Sequence, residues 1–183
     1  MRYFWLTIKH KWFVFIAGLR TKAPLWRLLI HDWTKFLPCE LPHYQRQFFG
    51  KADSPYKYIK CWLHHQNSNP HHWEYWIPRT GHNKCKVPYP DNSPIAMPDW
   101  AVREMVADWL GASRSYEGHW PSMFDWVWLK NHIEQFRGRL HPQTWFSLEN
   151  VLTELHCPLW YDCHIYGYEG SDNLHHQQGG AIK

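Results

Sequence analysis

The sequence predicts an all-α fold, a compact single-domain helical bundle. Apolar residues recur at intervals of three and four through most of the 183-residue chain, and no stretch of four or more residues alternates as a β-strand does. A chain of this length can bury one sizeable core without disulfides or metals as staples. The five cysteines are odd in number and include no CxxC pair, which argues against a disulfide framework and a thiolate zinc site.

The first half of the chain is predicted to form five helices. Apolar periodicity places the first at Tyr3–Leu19, and the second begins at Pro24 and runs to Leu37. The third and fourth, at Glu40–Phe49 and Ser54–Gln66, depend on the same periodicity. A proline fits the first turn of a helix, so the fifth is placed at Pro70–Trp76, with Asn69 as its N-cap.

The second half is predicted to form a long loop, three helices and a tail. Five prolines between Ile77 and Pro98 exclude regular structure there, and a loop of this length often borders a site. Helices follow at Asp99–Tyr116, Met123–Phe136 and Pro142–Leu155, the last beginning at its proline. We expect one domain over residues 1–167 and a fraying, polar C-terminal tail over 168–183.

Charge and hydropathy exclude several classes of partner. The formal net charge of +4 does not by itself indicate nucleic-acid binding, although it suits a small anionic substrate. No segment approaches the roughly 20 apolar residues of a membrane span. Arg2 precedes an apolar stretch as in a signal peptide, but Lys9, His10 and Lys11 interrupt that stretch. We therefore expect a reducing, cytoplasmic location and no membrane association.

Histidines and carboxylates in an ordered series are the strongest functional signal. The candidate metal ligands are His10, His31, Asp32, His64, His65, His71, His72 and Asp108. Imidazole and carboxylate bind Zn, Fe, Mn and related ions, and a mixed set suits a catalytic site with open positions. On a helix, His31 and Asp32 point about 100° apart, so they could bind one metal from two sides, or the aspartate could bridge two metals. Lys35 follows on the same helical face, where its ammonium could meet a bound phosphate.

Other polar and aromatic residues have competing interpretations. Glu104, four residues before Asp108, could pair with it as acid and base or belong to a solvated face. Arg114 could bind phosphate through its planar guanidinium or form a surface ion pair. Seven tryptophans flank the candidate ligands, and we expect most to pack in the core and one or two to stack on a ring of the substrate. These seven are Trp26, Trp33, Trp62, Trp73, Trp76, Trp100 and Trp109.

The ordered series resembles a known superfamily. His10, the doublet His31-Asp32 with Lys35 three residues later, and Asp108 resemble the H…HD…D signature of the HD-domain metal-dependent phosphohydrolases. The intervening histidines resemble the six-ligand dinuclear branch of that superfamily. Residues 69–76 and 104–114 also resemble an HD-related family of phages and bacteria that is labelled only as a domain of unknown function.

The resemblance implies an HD-like helical domain that binds one or two divalent ions, with Mn, Fe, Co, Zn and Mg as candidates. One member of each histidine doublet would face the metals, either His64 with His72 or His65 with His71. We expect hydrolysis of a phosphate ester in a nucleotide or similar small molecule. One alternative is a di-iron oxygenase on the same fold, and another is a noncatalytic ligand-binding module.

The expected catalytic residues for hydrolysis are Asp32, Lys35 and Arg114. Asp32 would help to hold a metal that activates water and polarises the phosphoryl oxygen. Lys35, with help from Arg114, would offset the charge that accumulates on the phosphate in the transition state. The sequence leaves open the substrate, the native metal, the oligomeric state and the pathway.

Overall fold

The computed structural model describes residues 2–51, 54–78 and 93–157. These residues form helices and connecting segments without a β-strand, which confirms the all-α prediction. The helices are α1 (Arg2–Thr21), α2 (Leu25–Ile30), α3 (Leu41–Phe49), α4 (Pro55–Ser68), α5 (Asp99–Glu117), α6 (Val127–Arg137) and α7 (Pro142–Glu154), with single 3-10 turns at Trp33–Phe36 and Trp73–Trp76. Residues 79–92 of the predicted loop and the whole predicted tail lie outside the described residues. None of the described helices combines the length and apolar character that crossing a membrane requires.

The two longest helices, α1 and α5, pack against each other and form the centre of the fold. Gly111 lets them approach closely, because a Cβ at this position would lie only 2.7 Å from the backbone nitrogen of Val14. Helices α2 and α3 pack on α1, and α7 packs on α5. The main apolar core lies along α5, α6 and α7, and a smaller cluster around Tyr3, Tyr44 and Cys61 joins α1, α3 and α4.

The predicted helix Pro24–Leu37 is wrong in its second half. The helix begins after Pro24 as expected, but α2 ends at Ile30, and His31 has ψ 131°. Asp32 then adopts a left-handed backbone conformation with φ 55°, which aspartate tolerates better than most residues. The ammonium of Lys11 donates to the carbonyl oxygens of His31 and Leu29, so it satisfies carbonyls that the end of α2 leaves open.

The predicted helix Pro70–Trp76 is also wrong, because only the 3-10 turn forms there. Asn69 follows the last residue of α4 and does not cap a helix start. Its side-chain amide instead donates to Thr34 Oγ1 at 2.9 Å and to the carbonyl oxygen of His65 at 2.8 Å. By contrast, α7 begins at Pro142 as predicted, and α6 begins four residues later than predicted.

Five of the seven tryptophans near the candidate ligands pack against the apolar clusters, which agrees with the expectation for most of them. Trp73, Trp76, Trp100 and Trp109 are partly buried against the main core, and Trp62 packs against the smaller cluster. The other two are exposed, Trp26 to 58% and Trp33 to 51%.

Candidate metal centre

Seven of the eight predicted metal ligands meet at one buried place. They come from α1, from the break after α2, from the end of α4, from the turn that follows α4, and from α5. Their side chains form two overlapping groups, one of His10, His31, Asp32 and Asp108, and one of Asp32, His65, His71 and His72. Within each group, one potential ligand atom from every residue lies within 4.8 Å of the others.

The first group has two imidazoles and two carboxylates. Nε2 of His10 lies 3.0 Å from Asp108 Oδ1 and 3.4 Å from Asp32 Oδ2. Nε2 of His31 lies 3.4 Å from the same Asp108 oxygen and 3.6 Å from Asp32 Oδ2. Donors bound at about 2.1 Å to one tetrahedral or octahedral ion lie roughly 3.0–3.4 Å apart, so this spacing fits a single cation.

The second group uses the other oxygen of the shared aspartate. Asp32 Oδ1 lies 3.2 Å from His65 Nε2 and 3.4 Å from His71 Nε2. The ring of His72 completes the group, with its centroid 4.8 Å from that of His65 and 4.4 Å from that of His71. Because the two groups meet on opposite oxygens of Asp32, the left-handed turn presents this carboxylate to both.

Several atoms of the centre are buried but lack hydrogen-bond partners among the described residues. They are both ring nitrogens of His10 and of His71, Nε2 of His31, His65 and His72, and Oδ1 of Asp32. Buried polar atoms without partners are rare because they cost free energy. A divalent cation would satisfy the Nε2 atoms and the carboxylate oxygen together. The donor set therefore fits one or two metal ions, and these buried groups could hold them.

Positive charges around Asp32 and Asp108 lower the pKa of both carboxyl groups. Burial disfavours the charged form of Asp32, but the positive charges of Lys35 and neighbouring histidines outweigh burial and hold its pKa well below the usual range. Burial likewise opposes ionisation of Asp108, yet His10 and His31 keep the pKa of this carboxyl well below its ordinary value. Both aspartates are therefore ionised at neutral pH. The same contacts outweigh burial and raise the pKa values of His10, His31 and His71, so a metal ion would displace protons from these rings on binding.

Burial, with repulsion from His71 and His65, holds the pKa of His72 well below its usual value. The ring of His72 is therefore neutral at physiological pH. A neutral imidazole keeps a lone pair for a metal ion, whereas a protonated one cannot bind it.

Glu104 orients one candidate ligand, His31, through a hydrogen bond to its Nδ1 and lies close to a second, His71. It is fully buried on α5, and its Oε1 lies 3.1 Å from His31 Nδ1 and 3.3 Å from His71 Nδ1. Arg27 anchors the same carboxylate through Nε at 2.7 Å and Nη2 at 3.3 Å. A carboxylate at Nδ1 holds the proton there and turns Nε2 towards the metal. The acid–base pairing with Asp108 and the solvated face considered for Glu104 thus do not describe its position.

Glu40 orients His65 of the second group, although no sequence pattern singled it out. It is fully buried before α3, and its Oε2 lies 3.0 Å from His65 Nδ1. Its Oε1 lies 2.6 Å from Nδ1 of His64, the exposed member of the doublet. Glu40 lies 24 and 25 residues before His64 and His65, and no local sequence pattern links residues so far apart. The packing of α3 on α4 brings them together. The spacing of Glu104 and Asp108, by contrast, was a detectable signal.

Lys35 lies beside the shared aspartate at the more accessible side of the centre. Its ammonium contacts Asp32 Oδ2 at 2.5 Å and lies 5.9 Å from the ring centroid of Tyr44. Burial would lower the pKa of Lys35, but Asp32 outweighs burial and raises it well above the usual value. The side chains of Lys35 and Asp108 are 13% and 17% exposed, whereas those of Asp32 and His31 are buried.

Two predicted site residues lie apart from this cluster. The side chain of His64 is 43% exposed and contacts Glu40 instead of joining either ligand group. Arg114 stacks over Phe13, with its guanidinium carbon 4.9 Å from the ring centroid. None of the contacts found in the described ranges joins Arg114 to a candidate ligand. Its role in phosphate binding stays a prediction.

A protein-family model described as "Family of unknown function (DUF5662)" matches residues 1–154. This range includes every candidate ligand and both buried glutamates. No curated protein and no solved structure gives a significant match to the chain. The comparisons therefore supply a family but no activity.

Proposed function

The chain belongs to the DUF5662 family of unknown function, and we propose that it is a metal-dependent phosphohydrolase acting on a nucleotide or a similar small phosphate ester. The observation that carries this proposal is the pair of buried ligand groups sharing Asp32, with the ammonium of Lys35 beside the shared carboxylate. The order of ligands and their convergence also support placing the family in the HD superfamily.

The proposed first ion would be held by His10, His31, Asp32 and Asp108, and a second by the remaining histidine group through the same aspartate. A bound divalent cation lowers the pKa of a coordinated water and polarises a phosphoryl oxygen. Glu104 keeps His31 in the tautomer that offers Nε2 to that ion.

Lys35 would bind the substrate phosphate. A partly exposed ammonium next to the ligands offsets the negative charge that accumulates on the phosphoryl oxygens during attack. In the proposed reaction water adds to phosphorus, the P–O bond to the alcohol breaks, and the alcohol leaves with a proton that came from the water. The products are a phosphate group and a free hydroxyl. Asp108 is a partly exposed ligand of the first group, and Lys35 lies beside the shared aspartate, so substrate would approach between Asp108 and Lys35.

Phosphate release tests this proposal. Protein loaded with Mn²⁺ or Co²⁺ is incubated with a panel of nucleotides and sugar phosphates, and free phosphate is measured. We expect at least one substrate to turn over, and we expect Asp32→Asn to abolish that turnover. The control is Asp99→Asn, which alters an exposed carboxylate at the start of α5 and should leave activity unchanged. Equal turnover by Asp32→Asn and the wild type would contradict the proposal.

A di-iron oxygenase is the second candidate, because the two groups together offer five imidazoles and only two carboxylates. Imidazole is a good ligand for iron, and substrate oxidation would use the same centre. Oxygen uptake by iron-loaded protein, without phosphate release by the manganese form, would favour this candidate. A folded wild-type protein that binds ligands but turns nothing over would favour a noncatalytic binding module.

The proposed location is the cytoplasm. Cys39 and Cys157 form no disulfide, which suits a reducing compartment. Fractionation of cells that express the full chain tests this, and recovery in an exported fraction would contradict it.

A further inference from the structure

We infer that His72 is a ligand in its own right and gives the second metal site three imidazoles. The resemblance implies that only one member of the doublet His71-His72 faces the metals. A ring nitrogen of His72 nevertheless lies within 4.8 Å of ligand atoms of Asp32, His65 and His71. Its Nε2 is buried and has no hydrogen-bond partner within the described part of the chain.

The local backbone explains how both histidines of this doublet reach one centre. The chain leaves α4 at Ser68 and turns at Pro70, so His71 and His72 are not on a helix. The two rings lie 4.4 Å apart between centroids, with 39° between their planes. Trp62 packs edge-on against His72 at 5.5 Å and keeps that ring beside the centre. The doublet His64-His65 differs, because it lies on a regular helix and only His65 points inwards.

A third imidazole makes the two metal sites chemically unequal. The first site offers two imidazoles and two carboxylates, whereas the second offers three imidazoles and one oxygen of Asp32. Imidazole-rich sites suit Zn²⁺ or Fe²⁺, while carboxylate-rich sites suit Mn²⁺ or Mg²⁺. Both sites offer four donors, so they differ in ligand type and not in the number of free positions. The ammonium of Lys35 and the partly exposed Asp108 assign the substrate phosphate to the first site. This last step rests on the proposed function, but the assignment of His72 does not.

Zinc titration against a chromophoric chelator tests the assignment, with wild type, His72→Ala and His119→Ala compared. We expect two zinc ions per wild-type chain and the same result for His119→Ala, the control at an exposed histidine that contacts the carbonyl oxygen of Trp120. His72→Ala should keep the first ion and bind the second at least about 10-fold more weakly, because loss of even an outer-sphere partner costs that much. Circular dichroism checks that the variant is folded, and His72→Gln replaces it if it is not.

Two outcomes would overturn the assignment. One is wild-type affinity for both ions in folded His72→Ala and His72→Gln, and the other is a wild-type chain that binds a single ion. A wild type that binds two zinc ions but releases no phosphate would contradict the proposed function. It would leave the assignment of His72 as a ligand intact.

Discussion

The close contact between α1 and α5 at Gly111 is predicted to control both stability and metal binding. In Gly111→Ala the new Cβ would lie 2.7 Å from the backbone nitrogen of Val14, where ordinary contact begins at 3.4 Å. The helices must therefore separate by about 0.7 Å. Overpacking typically costs about 1–3 kcal/mol, and the upper half applies because the clash is with backbone. Alanine has a higher helix propensity than glycine, which offsets up to about 1 kcal/mol of this cost. The free energy of unfolding should therefore fall by about 1–2 kcal/mol.

The same separation should weaken the first metal site. His10 and Asp108 lie about one helical turn from this contact on the same two helices, and their ligand atoms are 3.0 Å apart across it. We expect the melting temperature of Gly111→Ala to fall by roughly 2–8 °C and its affinity for the first ion to fall about 10-fold. Gly138→Ala is the control, since nothing lies within 4 Å of its added Cβ. Calorimetry and metal titration that show no difference between Gly111→Ala and the wild type would refute this reasoning.

Three further predictions concern charge and burial. Glu104→Gln removes the charge that faces two ligand histidines, so metal affinity should fall about 10–100-fold; an unchanged dissociation constant by calorimetry would rule out an orienting role. Lys35→Met should lower phosphate release on the order of 10²-fold without changing metal content. Lys22→Met, at an exposed lysine, should change neither phosphate release nor metal content. Burial raises the pKa of the Cys157 thiol to about 11, so iodoacetamide should label exposed Cys39 first and Cys157 only as the pH approaches that value or on unfolding. Equal labelling rates at pH 8 in folded protein would contradict the burial of Cys157.

Periodicity predicted most of the fold because most helices bury one apolar face. It failed where tertiary contacts interrupt a helical pattern. The run Leu28-Leu29-Ile30-His31 looks helical by composition, yet Lys11 binds the carbonyls of Leu29 and His31, and Asp32 turns left-handed. Pro70 was expected to begin a helix because proline fits the first helical turn, but only a 3-10 turn forms after it. In both places the broken helix presents metal ligands.

The order of histidines and carboxylates was enough to predict which residues meet at the centre, because each ligand type is chemically distinctive. It was not enough to choose within the doublets, since that choice depends on whether the backbone is helical at His65 and turning at His72. Glu40 escaped notice because a lone glutamate has no distinctive spacing, and its contact with His65 depends on the packing of two helices.

We propose that this fold encloses a two-ion metal centre bridged by Asp32. The most direct measurement is anomalous X-ray scattering from crystals of the metal-loaded chain, collected at the absorption edge of the metal. We predict two anomalous peaks, one beside His10 and Asp108 and one beside His65 and His71, with Asp32 in contact with both. The absence of anomalous density beside Asp32 in crystals grown with excess metal would contradict this description of the protein.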